Sequence, residues 1–239
     1  MTDAAVVAIE TATETVGVAL RTADGVEAEF ALTGRRRHVE TLTPALENLL
    51  ARVGLVPGDL GLVAVDIGPG LFTGLRVGVA AAKALGQSLG IGVIGATSLD
   101  VLTHAAAEVG HRGLVLSCVD ARRGEVFASL RTVDAAGMVG DERMAPGLFA
   151  PAELATALGG LGGVPILAVG DGAHRYGDLW RAVEGIVVAP DLSFPPPATL
   201  LRLALTRLAA GESPVAAAAV VPLYMREADA RINFVRART

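Results

Sequence analysis

Residues 62–90 of the chain read LVAVDIGPGLFTGLRVGVAAAKALGQSLG. The apolar run Leu62–Ile67 predicts a buried β-strand, and Gly68-Pro69-Gly70 ends it because this combination favours a turn. Residues 71–90 then predict a long helix. A strand, a turn and a long helix in this order are typical of an α/β protein.

The predicted helix carries very small side chains on one face. They succeed one another at steps of four residues: Gly74, Gly78, Ala82 and Gly86. Glycine inside a helix costs about 1 kcal/mol relative to alanine, so this pattern indicates that another backbone packs closely there. Two alternatives remain open. The neighbour belongs to the same lobe, or Leu71, Leu75, Val79 and the small residues dock another protein chain.

The sequence before this stretch predicts three strands and a helix. The apolar runs Ala4–Glu10, Val16–Leu20 and Val26–Leu32 lie close together and predict an antiparallel meander. Residues 38–53 carry apolar side chains at three- and four-residue spacing, which predicts an amphipathic helix. Pro44 lies inside this pattern, so the helix is either kinked there or begins with Pro44 in its first turn.

After residue 90 a similar order of elements occurs again. The predicted elements are strand Ile91–Ile94, helix Ser98–Val109, strands Gly113–Asp120 and Glu125–Val133, helix Pro151–Leu158, strand Pro165–Val169, a helix within Ala173–Val183, and an amphipathic helix from Leu200 to Leu208. A hairpin followed by alternating helices and strands, present twice, predicts two related α/β lobes. We assign residues 1–110 to an N-terminal lobe and residues 111–239 to a C-terminal lobe with a closing helix and a tail.

Composition limits the possible classes of protein. Hydrophobic residues make up 52% of the 239 residues. A membrane helix needs about 20 nearly uninterrupted apolar residues, and the best stretch, 75–95, contains Arg76 and Lys83. The start, Met1-Thr2-Asp3, lacks the layout of a signal peptide. We therefore expect a cytoplasmic protein that does not bind membranes.

Cysteine content and charge exclude further classes. The single Cys118 can form neither an internal disulfide nor a zinc site by itself. A net charge of −5 gives no overall attraction to nucleic acid, and 4% aromatic residues argue against a base-stacking platform. Contact with RNA would therefore need a local patch or a partner. Basic candidates are residues 35–37 and the arginines near the end of the chain, although such residues are usually solvated.

The turn after the first strand is the candidate phosphate site. Glu10, Thr11 and Thr13 place an acid at the strand end and hydroxyls in the turn, as in α/β proteins that hold magnesium and phosphate. The glycine-rich form that lets backbone amides surround a phosphate is missing. A plain turn stabilised by threonine side chains explains the same residues equally well.

A metal site on the first helix is poorly supported. His38 would need a second ligand four residues later, where the chain has Leu42, and Glu40 lies on the wrong face of the helix. We therefore predict no metal site, and no catalytic triad is recognisable from spacing.

Four segments of the chain are similar to one known family. They are residues 8–13 (AIETAT), 68–78 (GPGLFTGLRVG), 120–126 (DARRGEV) and 222–226 (PLYMR). In order and spacing they resemble the bacterial tRNA threonylcarbamoyladenosine biosynthesis family TsaB. The second segment is the specific one. The chain departs from the family at Glu10, where Asp is common, and at Met225, where Leu is usual.

The resemblance implies a fold and a role. The implied fold is that of the actin, sugar-kinase and chaperone ATPase superfamily, with two ribonuclease-H-like lobes and mixed sheets flanked by helices. The implied role is the non-catalytic partner of the paralogous transferase subunit TsaD, which modifies the adenosine beside the anticodon. In that paralogue a His-x-x-x-His pair binds the metal, and here the matching positions are His38 and Leu42, so the second ligand is absent.

The resemblance also implies partners. A TsaE-type ATPase and, indirectly, tRNA join through the complex, and the family dimerises through the helices matching residues 38–53 and 71–90. The predicted interface residues are His38, Leu42, Leu46, Leu71, Gly74, Leu75, Gly78, Val79, Ala82 and Gly86. We expect that the chain binds no cofactor of its own. Two alternatives remain open: that ATP or ADP binds at the subunit interface, and that the isolated chain forms a homodimer.

Two other functions remain as alternatives. One is an independent small-molecule kinase or ATPase of the same superfamily, which would need a working phosphate turn. The other is a metallopeptidase, against which Leu42 argues.

Overall fold

The computed structural model describes residues 4–34 and 37–226. In the first half of the chain the elements are β1 (Ala5–Glu10), β2 (Thr15–Arg21), β3 (Glu27–Thr33), α1 (His38–Arg52), β4 (Leu60–Asp66), α2 (Phe72–Leu89), β5 (Gly92–Ala96) and α3 (Ser98–Glu108). In the second half they are β6 (Gly113–Arg122), β7 (Glu125–Val133), β8 (Val139–Phe149), α4 (Pro151–Gly159), β9 (Ile166–Val169), α5 (Asp171–Arg175), α6 (Gly177–Arg181), β10 (Ile186–Val188) and α7 (Pro197–Ala209).

The strands form two five-stranded mixed sheets with the same topology. The first sheet has the order β3-β2-β1-β4-β5, and the second has the equivalent order β8-β7-β6-β9-β10. In each sheet the central strand is antiparallel to the hairpin strand that comes next in the chain and parallel to the strand on its other side. The repeat inferred from element order is therefore confirmed, as are the two ribonuclease-H-like lobes.

The last helix of each half packs on the sheet of the other half. Helix α3 comes after β5, yet its Leu99 and Leu102 lie in a core with Phe127 of the second sheet. Helix α7 comes after β10, yet Leu200 packs with Val6 of the first sheet. A boundary at residue 110 therefore does not coincide with the packing, because each lobe contains one helix from the other half of the chain.

Local sequence explains where the main helices begin and end. Helix α2 stops at Gly90, whose φ of 68° suits glycine better than any other residue. Helix α3 is capped by Thr97, whose hydroxyl accepts a hydrogen bond from the Asp100 N–H at 3.0 Å. Helix α1 begins at His38 and continues through Pro44, so Pro44 does not begin it.

The structure differs from the sequence prediction at two strands, β8 and β10, and at one predicted helix that is divided in two. Strand β8 was not predicted, because the charged run Asp141-Glu142-Arg143 and Pro146 interrupt its apolar residues and it lies largely exposed at the sheet edge. Strand β10 has only three residues. The helix predicted within Ala173–Val183 is two five-residue helices joined at Tyr176. Among the parts of the chain that the structure describes, no helix is long and apolar enough to cross a membrane.

Candidate functional site

Helix α2 packs directly on the turn between β1 and β2. A Cβ atom added to Gly74 would lie 2.1 Å from the Thr11 carbonyl oxygen, and one added to Gly78 would lie 2.2 Å from Thr11 Oγ1. The Thr11 hydroxyl donates a hydrogen bond to the Gly74 carbonyl at 2.8 Å. A Cβ on Gly86 would lie 2.7 Å from the side chain of Ala217. The glycines are therefore required by packing within the chain itself.

The predicted interface residues lie mainly inside the first lobe. Nine of the ten are buried: His38, Leu42, Leu46, Gly74, Leu75, Gly78, Val79, Ala82 and Gly86. Leu71 is half-buried. Leu42, Leu46 and Val79 share a core with Ile9 and Val65 of the first sheet. The expectation that the small-residue face is the seam of a subunit interface is therefore corrected, because the chain's own sheet and turn fill it.

The outer face of α2 carries a different row of residues. Its exposed residues at helical spacing are Thr73, Arg76, Ala80, Ala84 and Gln87. On α1 the corresponding solvent face includes Val39, which is 71% exposed, and Thr43. We call these residues of α1 and α2 the outer face. The sequence did not predict the outer face, because the glycine spacing indicated close packing on the opposite side of α2. Alanines on a helix do not by themselves distinguish a buried face from an exposed one.

The predicted phosphate turn is closed. Glu10 and Thr11 are fully buried, and Thr13 is only 1% exposed. The Thr13 carbonyl oxygen lies 2.8 Å from His38 Nε2, so the first residue of α1 holds this turn. The side chains predicted to hold a phosphate thus have no exposed surface, and α2 occupies the space beside them.

Glu10 and Asp66 form a buried carboxyl pair beneath the turn. Glu10 Oε1 accepts a hydrogen bond from the Ala12 N–H at 2.8 Å, and Asp66 Oδ1 accepts from Gly68 N–H and Ser98 Oγ. Burial, together with the negative Asp66, raises the pKa of Glu10 well above its ordinary value. Burial also raises the pKa of Asp66, and Glu10 Oε2 and Asp66 Oδ2 are buried without a hydrogen-bond partner in the described chain. In the described parts of the chain no group of three or more ligand-type side chains could hold a metal ion.

The equivalent turn of the second lobe carries charged groups near the surface. Asp171 Oδ1 accepts a hydrogen bond from the Asp120 N–H at 2.9 Å, and burial raises the pKa of Asp171 to about 6. Arg122 donates to Asp120 Oδ2 and, across the gap between the lobes, to Glu14 Oε1, both at 2.8 Å. Arg122 and Arg123 have φ values of 64° and 56°, a region that costs a non-glycine residue about 1 kcal/mol.

A groove of about 760 Å³ lies between this turn and the start of α2. Three of the segments noted in the sequence meet there: residues 70–76, 120–123 and 223–226. The Phe72 and Tyr224 rings lie 5.4 Å apart, and Arg76 lies over Phe72 at 3.8 Å. These segments are far apart in the chain, so their spacing alone gave no indication that they share one groove.

Residues 215–226, which we call the strap, run along α2 toward the second lobe. Lys83 Nζ donates to the Val220 carbonyl at 3.1 Å, and Arg76 Nε donates to the Tyr224 hydroxyl at 3.1 Å. At the end of the strap Arg226 donates to the Ala121 carbonyl and pairs with Glu125. The strap thus connects α2 with the β6–β7 hairpin.

Some predicted basic residues cannot be placed. Arg35 and Arg36 lie outside the described residues, and so do the terminal arginines, Arg231, Arg236 and Arg238. Their contact with RNA stays a prediction.

Known proteins are similar to this chain in sequence. Residues 22–174 match the family model described as TsaD, tRNA N6-adenosine threonylcarbamoyltransferase. The tRNA threonylcarbamoyladenosine biosynthesis protein TsaB of Bacillus subtilis is 39% identical over 52% of this chain, and the match spans about half, 54%, of that relative. The Escherichia coli protein of the same name is 29% identical over 92% of this chain and 94% of its own length. An uncharacterized protein of Mycobacterium tuberculosis is 36% identical over 95% of this chain and 93% of its own length.

Solved structures are similar in fold. YeaZ from Pseudomonas aeruginosa superposes with a TM-score of 0.80 at 24% identity, covering 92% of this chain and 99% of its own. A second solved structure, described as an uncharacterized protein with similarity to peptidase YeaZ from Pseudomonas aeruginosa, has a TM-score of 0.79 at 25% identity and covers 93% of this chain and 100% of its own.

Proposed function

The chain belongs to the TsaB family of tRNA threonylcarbamoyladenosine biosynthesis proteins, and from this premise we propose that it is a non-catalytic scaffold that binds and activates a TsaD-type transferase subunit. The transferase carries out the chemistry on the tRNA. This chain supplies a rigid surface and no reacting group.

The closed first turn is the observation that carries the proposal of a non-catalytic role. An ATPase of this fold needs an open turn between the lobes, where backbone amides and an acid meet phosphate and metal. Here α2 lies on that turn, with the Leu71 N–H donating to the Ala12 carbonyl at 2.6 Å. The Thr11 hydroxyl is already engaged with Gly74, so binding a phosphate there would require α2 to move.

The outer face of α1 and α2 is the surface we assign to the partner. Ala80 and Ala84 are exposed one helical turn apart, so a helix of another chain can approach α2 closely there. Phe72, 48% exposed, and Arg76 extend this surface toward the groove. Aromatic and arginine side chains are the residue types that most often dominate binding energy in protein interfaces.

The remaining partners are part of the same proposal. A TsaE-type ATPase and tRNA contact the chain only within the complex, and any ATP or ADP binds at the subunit interface rather than in this chain. In isolation the outer face is free to pair with a second copy, so a homodimer and the complex compete for it.

The test is a pair of matched substitutions. Ala84→Glu places a charge on the outer face, whereas Ala157→Glu places one on the exposed side of α4 in the second lobe. Burying an unpaired charge at an interface is strongly unfavourable, so we expect Ala84→Glu to weaken binding of the cognate TsaD-type subunit roughly 30-fold or more in calorimetry. Both variants should keep the wild-type melting temperature, and Ala157→Glu should bind normally.

Two outcomes would contradict the proposal. One is wild-type affinity of Ala84→Glu for the transferase subunit. The other is ATP turnover by the isolated chain at a rate that Thr11→Val abolishes, which would favour the independent ATPase instead.

A further inference from the structure

Arg122 makes a direct contact between the first turns of the two lobes. Its Nη2 lies 2.8 Å from Glu14 Oε1 in the β1–β2 turn of the first lobe. Its Nη1 lies 2.8 Å from Asp120 Oδ2 in the second lobe. One guanidinium group thus joins carboxylates from both lobes, and its planar arrangement of donors suits such double pairing.

The second lobe holds Arg122 in place for this contact. Asp120 has a side chain only 2% exposed and receives both the Arg122 backbone N–H and its Nη1. Asp120 is fixed in turn, because its own N–H donates to Asp171. A residue in the left-handed region is normally glycine, yet the chain keeps an arginine at position 122 with φ of 64°. The Arg122 side chain makes two ion pairs that glycine could not make.

A second ionic contact joins the lobes near the exchanged helices. Asp100 of α3 pairs with Arg131 of β7 and with Arg207 of α7, each at 2.9 Å. Arg207 also donates to the Gly95 carbonyl of β5. This contact and the packing of α3 and α7 do not involve Arg122, so they persist when Arg122 is removed. They provide a pivot about which the lobes can turn.

We infer that Arg122 is a positioning residue that holds the two lobes in their observed orientation by pairing Glu14 with Asp120. Without it the lobes turn about α3 and α7, and the groove between Phe72 and the β6–β7 hairpin widens. The Arg122 and Glu14 side chains are 39% and 27% exposed, so added salt screens the contact and favours the same opening.

Arg122 also affects the surface that binds the partner, which rests on the proposed function. The strap runs from the outer edge of α2 to the hairpin that carries Arg122. Turning the lobes apart shifts the hairpin relative to α2 and displaces Tyr224 from Phe72 and Arg76. Arg122 thereby keeps the surface offered to the transferase subunit in one arrangement before binding, which lowers the cost of association.

The first experiment measures the distance between the lobes in the free chain. Spin labels on Ala51→Cys of α1 and Ala182→Cys beside α6 occupy exposed sites in different lobes. The native Cys118 is buried, and burial raises its thiol pKa, so it does not compete for the label. We expect a narrow distance distribution in the wild type, and a broader one with its mean shifted by several ångströms in Arg122→Ala and in Glu14→Gln.

Matched variants separate the contact between lobes from general damage. Arg175→Ala removes a neighbouring arginine that lies 3.6 Å from the same Asp120 and over the Tyr176 ring, both within the second lobe, so its distance distribution should equal that of the wild type. Arg122→Lys keeps one charged contact and should lie between the wild type and Arg122→Ala. The double variant Arg122→Ala with Glu14→Gln should open no further than either single variant.

The outcomes also separate this inference from the proposed function. An unchanged distance distribution in Arg122→Ala overturns the positioning role, whatever Ala84→Glu does to partner binding. If the distance changes but the affinity for the transferase subunit does not fall by at least threefold, the link between lobe orientation and the partner surface is overturned.

Discussion

The regions after β4 and after β9 are equivalent in the two lobes, and they begin alike. Both contain two glycines around one residue, at 68–70 and at 170–172. A Cβ on Gly70 would lie 2.0 Å from the Ala12 carbonyl oxygen, and one on Gly170 would lie 2.1 Å from the Cys118 carbonyl oxygen. In each lobe these glycines let the backbone approach the end of the central strand. The close approach is therefore a requirement of the fold and does not identify a partner.

The two regions differ beyond the glycines. In the first lobe α2 continues for 18 residues and presents the outer face. In the second lobe α5 and α6 have five residues each, and Trp180 of α6 is fully buried. What distinguishes the first lobe is therefore the length of α2 and its exposed outer side. The inner side of α2 packs on the end of the central strand, as the equivalent region of the second lobe also does.

The largest expected effect concerns the glycines of the first region. Gly74→Ala places a methyl group against the Thr11 carbonyl, a backbone atom that cannot move aside. We expect a loss of roughly 3 kcal/mol or more in the free energy of unfolding, despite the better helix propensity of alanine. A Cβ on Gly172 would lie 2.8 Å from Cys118 Sγ and 3.0 Å from two backbone atoms, a milder overlap than at Gly74, so Gly172→Ala should cost less, roughly 1–3 kcal/mol. Urea unfolding measures both, and a neutral Gly74→Ala would contradict the internal packing of α2.

The buried carboxyl pair of the first lobe gives the next effect. Glu10→Ala leaves the Ala12 N–H buried without its acceptor and a cavity beside Asp66, and we expect a loss of about 3 kcal/mol. Glu10→Gln keeps the volume of the side chain and an oxygen that accepts from the Ala12 N–H, so it should cost less than about 1 kcal/mol at pH 7. Equal losses for the two variants in urea unfolding would show that the contact of Glu10 with the Ala12 N–H does not stabilise the turn.

Asp171 of the second lobe predicts a pH dependence. Its folded pKa of about 6 lies above the ordinary value of 3.8, so folding favours the protonated form. The stabilisation is complete below the unfolded pKa of 3.8 and is lost as the pH rises through 6, by at most about 3 kcal/mol. Asp171→Asn should remove this slope and be more stable at pH 7.5. The exposed Asp178→Asn serves as the control, and the same slope in Asp171→Asn would disprove the assignment.

The smallest effect is expected at the strap. Tyr224→Phe removes the hydroxyl that accepts a hydrogen bond from Arg76 on an exposed surface. The free energy of unfolding should change by less than about 0.5 kcal/mol, because water replaces the lost contact. A change in melting temperature of more than a few degrees would contradict this and would mean that the contact of the strap with α2 is needed to stabilise the fold.

The sequence predicted the helices and strands better than it predicted which elements pack against one another. Alternation of apolar runs and helical spacing revealed α2, the β6–β7 hairpin and the repeated order of the two lobes. It could not tell which side of α2 faces inward, since glycines at four-residue steps permit close packing against any backbone. Strand β8 was missed because an exposed edge strand needs no apolar alternation.

The contacts between the two halves of the chain could not be predicted from the sequence. The amphipathic pattern of α7 fits either sheet equally well, and only the structure shows that it covers the first. Leu42 led to the prediction that α1 carries no pair of metal ligands. It gave no indication of the role of His38, whose Nε2 lies 2.8 Å from the Thr13 carbonyl oxygen and holds the β1–β2 turn. The groove joins residues 70–76, 120–123 and 223–226, which are separated in the chain by whole strands and helices, and spacing alone cannot detect that they meet.

The exchange of α3 and α7 has a consequence for synthesis on the ribosome. The first sheet lacks the helix that covers Val6 and Leu62 until residues 197–209 have left the exit tunnel. An N-terminal lobe emerging alone would expose that apolar face for most of translation, and neither half would be stable as a fragment. We therefore expect nascent chains ending near residue 110 to remain protease-sensitive, with protection gained in one step once α7 emerges.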